Sequence, residues 1–180
     1  CGVGMNPSRI GILSVLRDMG ARIEIKNARE ESGEPIADLI VLPSKLSGVI
    51  LDGSIIPNII DEIPILSIAA AFAEGETIIR DAAELRVKES DRLKAISDGL
   101  LNLGVSHINF DDGIQIKGNP RLLDLPGPVQ IDSYDDHRIA MSFLIAGLNC
   151  NQPITVLDCD NILTSFPAFI ELTASLGYNL

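Results

Sequence analysis

The chain has 180 residues, 46% of them hydrophobic and 22% charged, a length and composition that fit one ordinary globular domain with a sizeable core. Only 4% are aromatic and Trp is absent, so the core must be built from Ile, Leu, Val and Ala. A formal charge of −11 excludes the basic stripe of a nucleic-acid binder and makes any cluster of Arg and Lys informative.

The sequence opens on Cys1 rather than Met, and CGVGMNPSR runs straight into a helical pattern, as expected of a piece of a longer protein without a signal peptide. Arg9, after Asn6-Pro7-Ser8, falls at the start of that helix. The helix ends at LRDMG, where Gly20 supplies the left-handed stop, and the alternating run that follows predicts a strand. Leu39 to Leu51 reads as a strand pair. Ile63 to Ala73 is the most apolar stretch, shorter than the roughly 18 residues that cross a bilayer, and predicts a buried helix rather than a membrane span. Asp61, in IDEIP, either caps that helix or directs a carboxylate from its mouth toward a ligand hydroxyl.

Ser90 is the expected N-cap of an amphipathic helix whose stripe is Leu93, Ile96, Leu100 and Leu103, stopped by Gly104. Ile108 to Ile116 predicts a hairpin around Asp112-Gly113. Asn119 to Pro128, with three prolines, predicts a loop. In DDHR an aspartate caps a second nearly all-apolar helix, which leads through a turn to a strand ending near Val156. The last helix stops at Gly177.

The stops at Gly20, Gly104 and Gly177 recur 84 and 73 residues apart, and apolar helices lie between them. That pattern predicts an α/β domain of three large units, with the apolar helices at the centre. Cys1, Cys150 and Cys159 form no CxxC pair, and with two histidines they supply no metal-ligand set. Reduced thiols in a cytoplasm are the expectation.

Arg92 and Arg138 both fall in first helical turns, where a cation costs about 0.3–1 kcal/mol unless an anion docks beside it. An anion held jointly by guanidinium and helix N–H groups offsets that cost; local neutralisation by Asp91, Asp135 and Asp136 is the simpler alternative. Glu89 lies i,i+3 to Arg92, and Lys88 lies i,i+4 if the helix starts early. Such a trio suits proton transfer beside a bound phosphate or carboxylate, although a solvated charge run has the same composition. His137 either orients a ligand group or bonds within its turn; His107 receives no role.

Read jointly, RVKESDR (Arg86 to Arg92) and DDHRIAMS (Asp135 to Ser142) resemble the C-terminal signatures of the 5-enolpyruvylshikimate-3-phosphate synthases. NPSRIG, AAFAEGETI and TSFPAF extend the resemblance, in order, over nearly the whole chain. It implies one domain, residues 1–180, of the enolpyruvyl transferase inside-out α/β barrel, with three βαβαββ-type repeats around buried helices and the N-terminal domain absent. It further implies a monomeric enzyme without metal or organic cofactor that transfers the enolpyruvyl group of phosphoenolpyruvate to shikimate 3-phosphate. By matching position, Asp61 becomes the candidate general base, Glu89 the proton carrier at the methylene carbon, and Lys88 a shikimate 3-phosphate contact. Arg92 and Arg138 become a phosphoenolpyruvate clamp, with His137 in support.

Two positions depart from the family pattern. Thr164 stands where a lysine often precedes the FP element, and Glu84 stands where an asparagine is common. The alternatives are the related transferase acting on UDP-N-acetylglucosamine, which lacks the KESDR and DHR pairing, and a non-catalytic anion-binding module of the same fold.

Overall fold

A computed structural model describes residues 1–121 and 125–178. The first sheet holds β1 (Val3–Gly4), β2 (Arg22–Glu31) and β3 (Glu34–Leu42) in the antiparallel order β1-β3-β2, with α1 (Gly11–Asp18) preceding β2. Ser32 and Gly33 both have positive φ, 54° and 84°, which matches the right-handed twist of the two strands they join.

The second sheet follows the order β4-β5-β7-β6. From β4 (Ile50–Leu51) the chain enters a helical stretch, Gly53–Ala71, made of a 3₁₀ turn, α2 (Ile56–Ile59), a second 3₁₀ turn (Ile60–Glu62) and α3 (Ile63–Ala71). Next come β5 (Glu76–Ile79), a 3₁₀ segment (Ala83–Val87), α4 (Arg92–Asn102), β6 (His107–Phe110) and β7 (Gly113–Lys117). In the third sheet β8 (Val129–Asp132) pairs in parallel with β9 (Ile154–Leu157), across α5 (His137–Gly147). Two short helices, α6 (Asn161–Ser165) and α7 (Phe169–Ser175), follow.

Leu39–Leu51 is not a strand pair. Both edges of β3 are already taken by β1 and β2, so β4 pairs in parallel with β5 instead. The hairpin turn sits one residue earlier than its sequence suggests: Phe110 pairs with Gly113 across Asp111-Asp112. Gly113 is needed for a different reason, since a Cβ there would stand 1.9 Å from the Ile79 carbonyl oxygen. The stops at Gly20, Gly104 and Gly177 have φ of 101°, 70° and 89°, as a left-handed helix end requires. Strands β2 and β6 follow the first two; the run after the third reaches Asn179 and Leu180, outside the described residues. The Asn119–Pro128 loop likewise includes Leu122 to Asp124, which lie outside them.

The core is aliphatic. Helix α3 is buried on nearly all faces, with Ile63, Ala70 and Ala71 fully enclosed, and it packs against both α4 and α5. Its Ser67 Oγ donates to the Ile63 carbonyl, so even its hydroxyl is satisfied. In α4, the stripe Leu93, Ile96, Leu100 and Leu103 is buried as its spacing predicts. Gly99 faces Phe143 of α5, whose ring would lie 2.1 Å from any Cβ at that position. Full burial of each such Leu or Ile side chain contributes about 1.5–3 kcal/mol.

The buried helix expected within Ile63 to Ala73 is α3, but the longer helical stretch Gly53–Ala71 is by length and composition alone apolar enough to cross a membrane. It is nevertheless broken into four segments, carries Asp61 and Glu62 in its middle, and ends as the central helix of the core. Those carboxylates and breaks position the site.

Candidate active site

Three helix beginnings meet: the 3₁₀ turn before α3, the first turn of α4 and the first turn of α5. Asp61 does not cap α3. Glu62 occupies the N-cap position, and its side chain makes no capping bond. The Asp61 carboxylate instead accepts from Arg92 Nη1 at 3.2 Å and lies 3.8 Å from Arg9 Nη1 and 3.7 Å from Arg138 Nη2. Its backbone carbonyl accepts from Arg138 Nη1 at 2.9 Å.

Arg92 is the centre of this cluster. Its side chain is 1% exposed, and each guanidinium nitrogen has its own carboxylate. Nε donates to Asp136 Oδ2 at 2.7 Å, Nη1 to Asp61, and Nη2 to Glu89 Oε2 at 2.6 Å. The i,i+3 spacing of Glu89 and Arg92 is therefore used, although Glu89 lies before the helix.

The N-cap of α4 is Asp91, not Ser90: its carboxylate accepts from Lys94 N at 3.0 Å. Ser90 is drawn away, its hydroxyl donating to Asp136 Oδ2 at 3.2 Å. Asp136 caps α5 by accepting from Arg138 N at 2.9 Å, with Ile139 N more distant at 3.4 Å. Burial alone would raise the Asp136 pKa, but the bond and charge of Arg92 and the two helix N–H groups outweigh it and hold it below the ordinary carboxylate value. One buried carboxylate thus joins the starts of both helices. This role is invisible in the sequence because its main partner is 44 residues away.

Lys88 does not share a helical face with Arg92. The preceding 3₁₀ segment ends at Val87, Lys88 is extended, and its Nζ pairs with Glu84 Oε1 at 2.6 Å. Arg9 precedes α1, whose N-cap is Ile10, and so is not in the first turn of that helix; it reaches the cluster from an exposed turn over residues 7–9. His137 is the first residue of α5 and half-buried. His107 is held by Ser97 Oγ and the Val105 carbonyl, a structural role. Arg86, which received no role from the sequence, bonds Asp91 and the carbonyls of Phe110 and Asp111, tying the β6–β7 hairpin to the start of α4. Thr164 lies exposed in α6.

Beside the cluster is a cleft of about 240 Å³, lined by Asp61, Glu62 and Arg138 together with apolar side chains that include Ile65, Phe166 and Phe169. Arg138 is the cation that faces it, with a side chain 33% exposed. The helix N–H groups of Lys94, Arg138 and Ile139 are taken by their caps. Three guanidinium groups, from Arg9, Arg92 and Arg138, stand against the carboxylates of Asp61, Glu62, Glu89 and Asp136. Among the described residues no group of three His, Cys, Asp or Glu could hold a metal ion.

The family model for EPSP synthase (3-phosphoshikimate 1-carboxyvinyltransferase) matches residues 1–172. A 3-phosphoshikimate 1-carboxyvinyltransferase of Magnetococcus marinus is 51% identical over 178 residues, covering 99% of this chain and 40% of the relative. One from Coxiella burnetii is 46% identical over 180 residues, again covering 40% of the relative. A solved EPSP synthase from Acinetobacter baumannii superposes with a TM-score of 0.89 at 44% identity, over 96% of this chain and 40% of that one. The enolpyruvyl transferase NikO from Streptomyces tendae, at 20% identity and a TM-score of 0.62, shares the fold over 93% of this chain and 35% of that one. The chain thus spans about 40% of the length of the curated relatives it matches, and it belongs to the EPSP synthase family.

Proposed function

We propose that residues 1–180 are the C-terminal domain of a two-domain enolpyruvyl transferase. The complete protein moves the enolpyruvyl group of phosphoenolpyruvate onto the 5-hydroxyl of shikimate 3-phosphate and releases phosphate. The observation that carries this reading is the convergence of Asp61, Glu89, Arg92 and Arg138 in one ion-paired cluster beside a cleft. The packing of α3 against α4 and α5, with three sheets outside, fits three βαβαββ-type repeats of an inside-out barrel around buried helices. Three free cysteines fit a parent in a reducing cytoplasm; a monomer that needs no cofactor is what the family reading adds.

In this reading Arg92 and Arg138 hold phosphoenolpyruvate and Lys88 contacts shikimate 3-phosphate, with His137 supporting the cleft. Glu89 delivers a proton to the methylene carbon, and positive character develops at the adjacent carbon. The 5-hydroxyl oxygen attacks that carbon while Asp61 accepts its proton. The new methyl group then returns a proton to Glu89 as the carbon–oxygen bond to phosphate breaks, restoring the double bond, and the phosphate leaves with the proton held by Asp61. Charges fixed in advance by the fold need no reorganisation during these steps, and the two reactants are held in register. Glu84, now the partner of Lys88, competes with the substrate for that lysine, and exposed Thr164 supplies no cation from α6.

Phosphate release by the full-length protein, with phosphoenolpyruvate and either shikimate 3-phosphate or UDP-N-acetylglucosamine as acceptor, tests the assignment. Turnover is expected only with shikimate 3-phosphate and only when the rest of the protein is present. Turnover with the nucleotide sugar alone, or by residues 1–180 in isolation, overturns it.

A further inference from the structure

The loop from Asp132 to Asp136 carries two consecutive residues in left-handed backbone, Tyr134 (φ 54°) and Asp135 (φ 57°), neither of them glycine. Such conformations persist only where surrounding contacts over-determine them. Here the contacts come from several directions. Ser133 Oγ donates to the Asp158 carbonyl at 2.8 Å, Tyr134 N to Asp132 Oδ1 at 2.7 Å, and Asn161 Nδ2 to the Asp135 carbonyl. On the outer face of α4, the Tyr134 hydroxyl donates to Asp98 Oδ2 at 2.6 Å and accepts from Lys94 Nζ at 2.7 Å. The same ammonium lies 4.6 Å from the Tyr134 ring centroid. Loop and helix α4 are therefore joined twice, once on the surface through Tyr134 and once in the interior through Asp136 and Arg92.

We propose that Tyr134 is a positioning residue: braced by Lys94 and Asp98, it holds the loop so that Asp136 stays against Arg92 and the start of α5 presents Arg138. Tyr134 touches neither arginine and acts through Asp136. The link to substrate rests on the function proposed above; the brace itself does not.

Two measurements on the full-length protein separate them. Steady-state kinetics of Tyr134→Phe, which keeps the ring and removes the hydroxyl, should show an increase of about three- to tenfold in KM for phosphoenolpyruvate, the scale of one ordinary net hydrogen bond. KM for shikimate 3-phosphate should stay near its original value. In an Asp136→Asn background, where the cap is kept but the carboxylate charge facing Arg92 is removed, Tyr134→Phe should add nothing. NMR of the Arg92 Nε proton reads the brace without catalysis: its solvent exchange should accelerate in Tyr134→Phe. Unchanged exchange, multiplicative effects with Asp136→Asn, or equal shifts in both KM values overturn the proposal. If Arg138→Lys leaves KM for phosphoenolpyruvate unmoved while Arg92 Nε exchange still accelerates in Tyr134→Phe, the function assigned to the site fails and the brace stands.

Discussion

The starts of α4 and α5 carry the same local pattern, an aspartate cap followed within two residues by an arginine, yet the two arginines live in opposite environments. Arg92 is enclosed, 1% exposed, with a carboxylate on each nitrogen; Arg138 is 33% exposed, with one backbone carbonyl at 2.9 Å and carboxylates no nearer than 3.7 Å. The difference comes from Asp136, which caps α5 and turns its second oxygen toward α4. Arg92 is thereby tied to both helix starts, and Arg138 is the more exposed and more loosely paired of the two arginines.

Removing Arg92 should break this contrast most severely. Arg92→Ala leaves Asp136 buried without its partner, and a loss of about 3–5 kcal/mol in denaturant unfolding is expected. Arg138→Ala sharpens the contrast from the other side. Its unfolding free energy should stay within about 1 kcal/mol of the original, because its pairs are solvent-screened, while phosphoenolpyruvate affinity falls at least about tenfold; equal destabilisation by the two variants contradicts the division drawn here. The smallest effect lies in pH. Asp136 has its folded pKa lowered below the ordinary 3.8, so its contribution is complete above that value and is lost as pH falls through the folded one. Asp136→Asn should therefore flatten the stability profile in acid below about pH 4, measured by thermal unfolding at stepped pH.

Much of the framework was readable from local rules. The three glycine stops and the α4 stripe needed only helix geometry, and α3 announced itself by being apolar on every face. What escaped was set by partners distant in sequence. Ser90 and Asp91 are equally good caps by type, and only the nearness of Asp136 decides between them. Lys88 was expected on the face of Arg92 because an α-helical start was assumed; a 3₁₀ segment closing at Val87 gives it to Glu84. The Leu39–Leu51 pair failed because alternation says that a strand exists and not which edge it will find.

The way the cluster balances its own charge has a consequence for how anything enters it. Because Asp61 and Glu62 already sit near Arg138 and Arg9, an arriving anion replaces resident counter-ions instead of meeting bare cations. A singly charged ion such as chloride gains little from that exchange, whereas a phosphate monoester, with two charges and several oxygens in one plane of approach, can satisfy a guanidinium group at two points. On the function proposed above, an anion docking at Arg138 would loosen that arginine from Asp61 while Arg92 keeps the carboxylate in place.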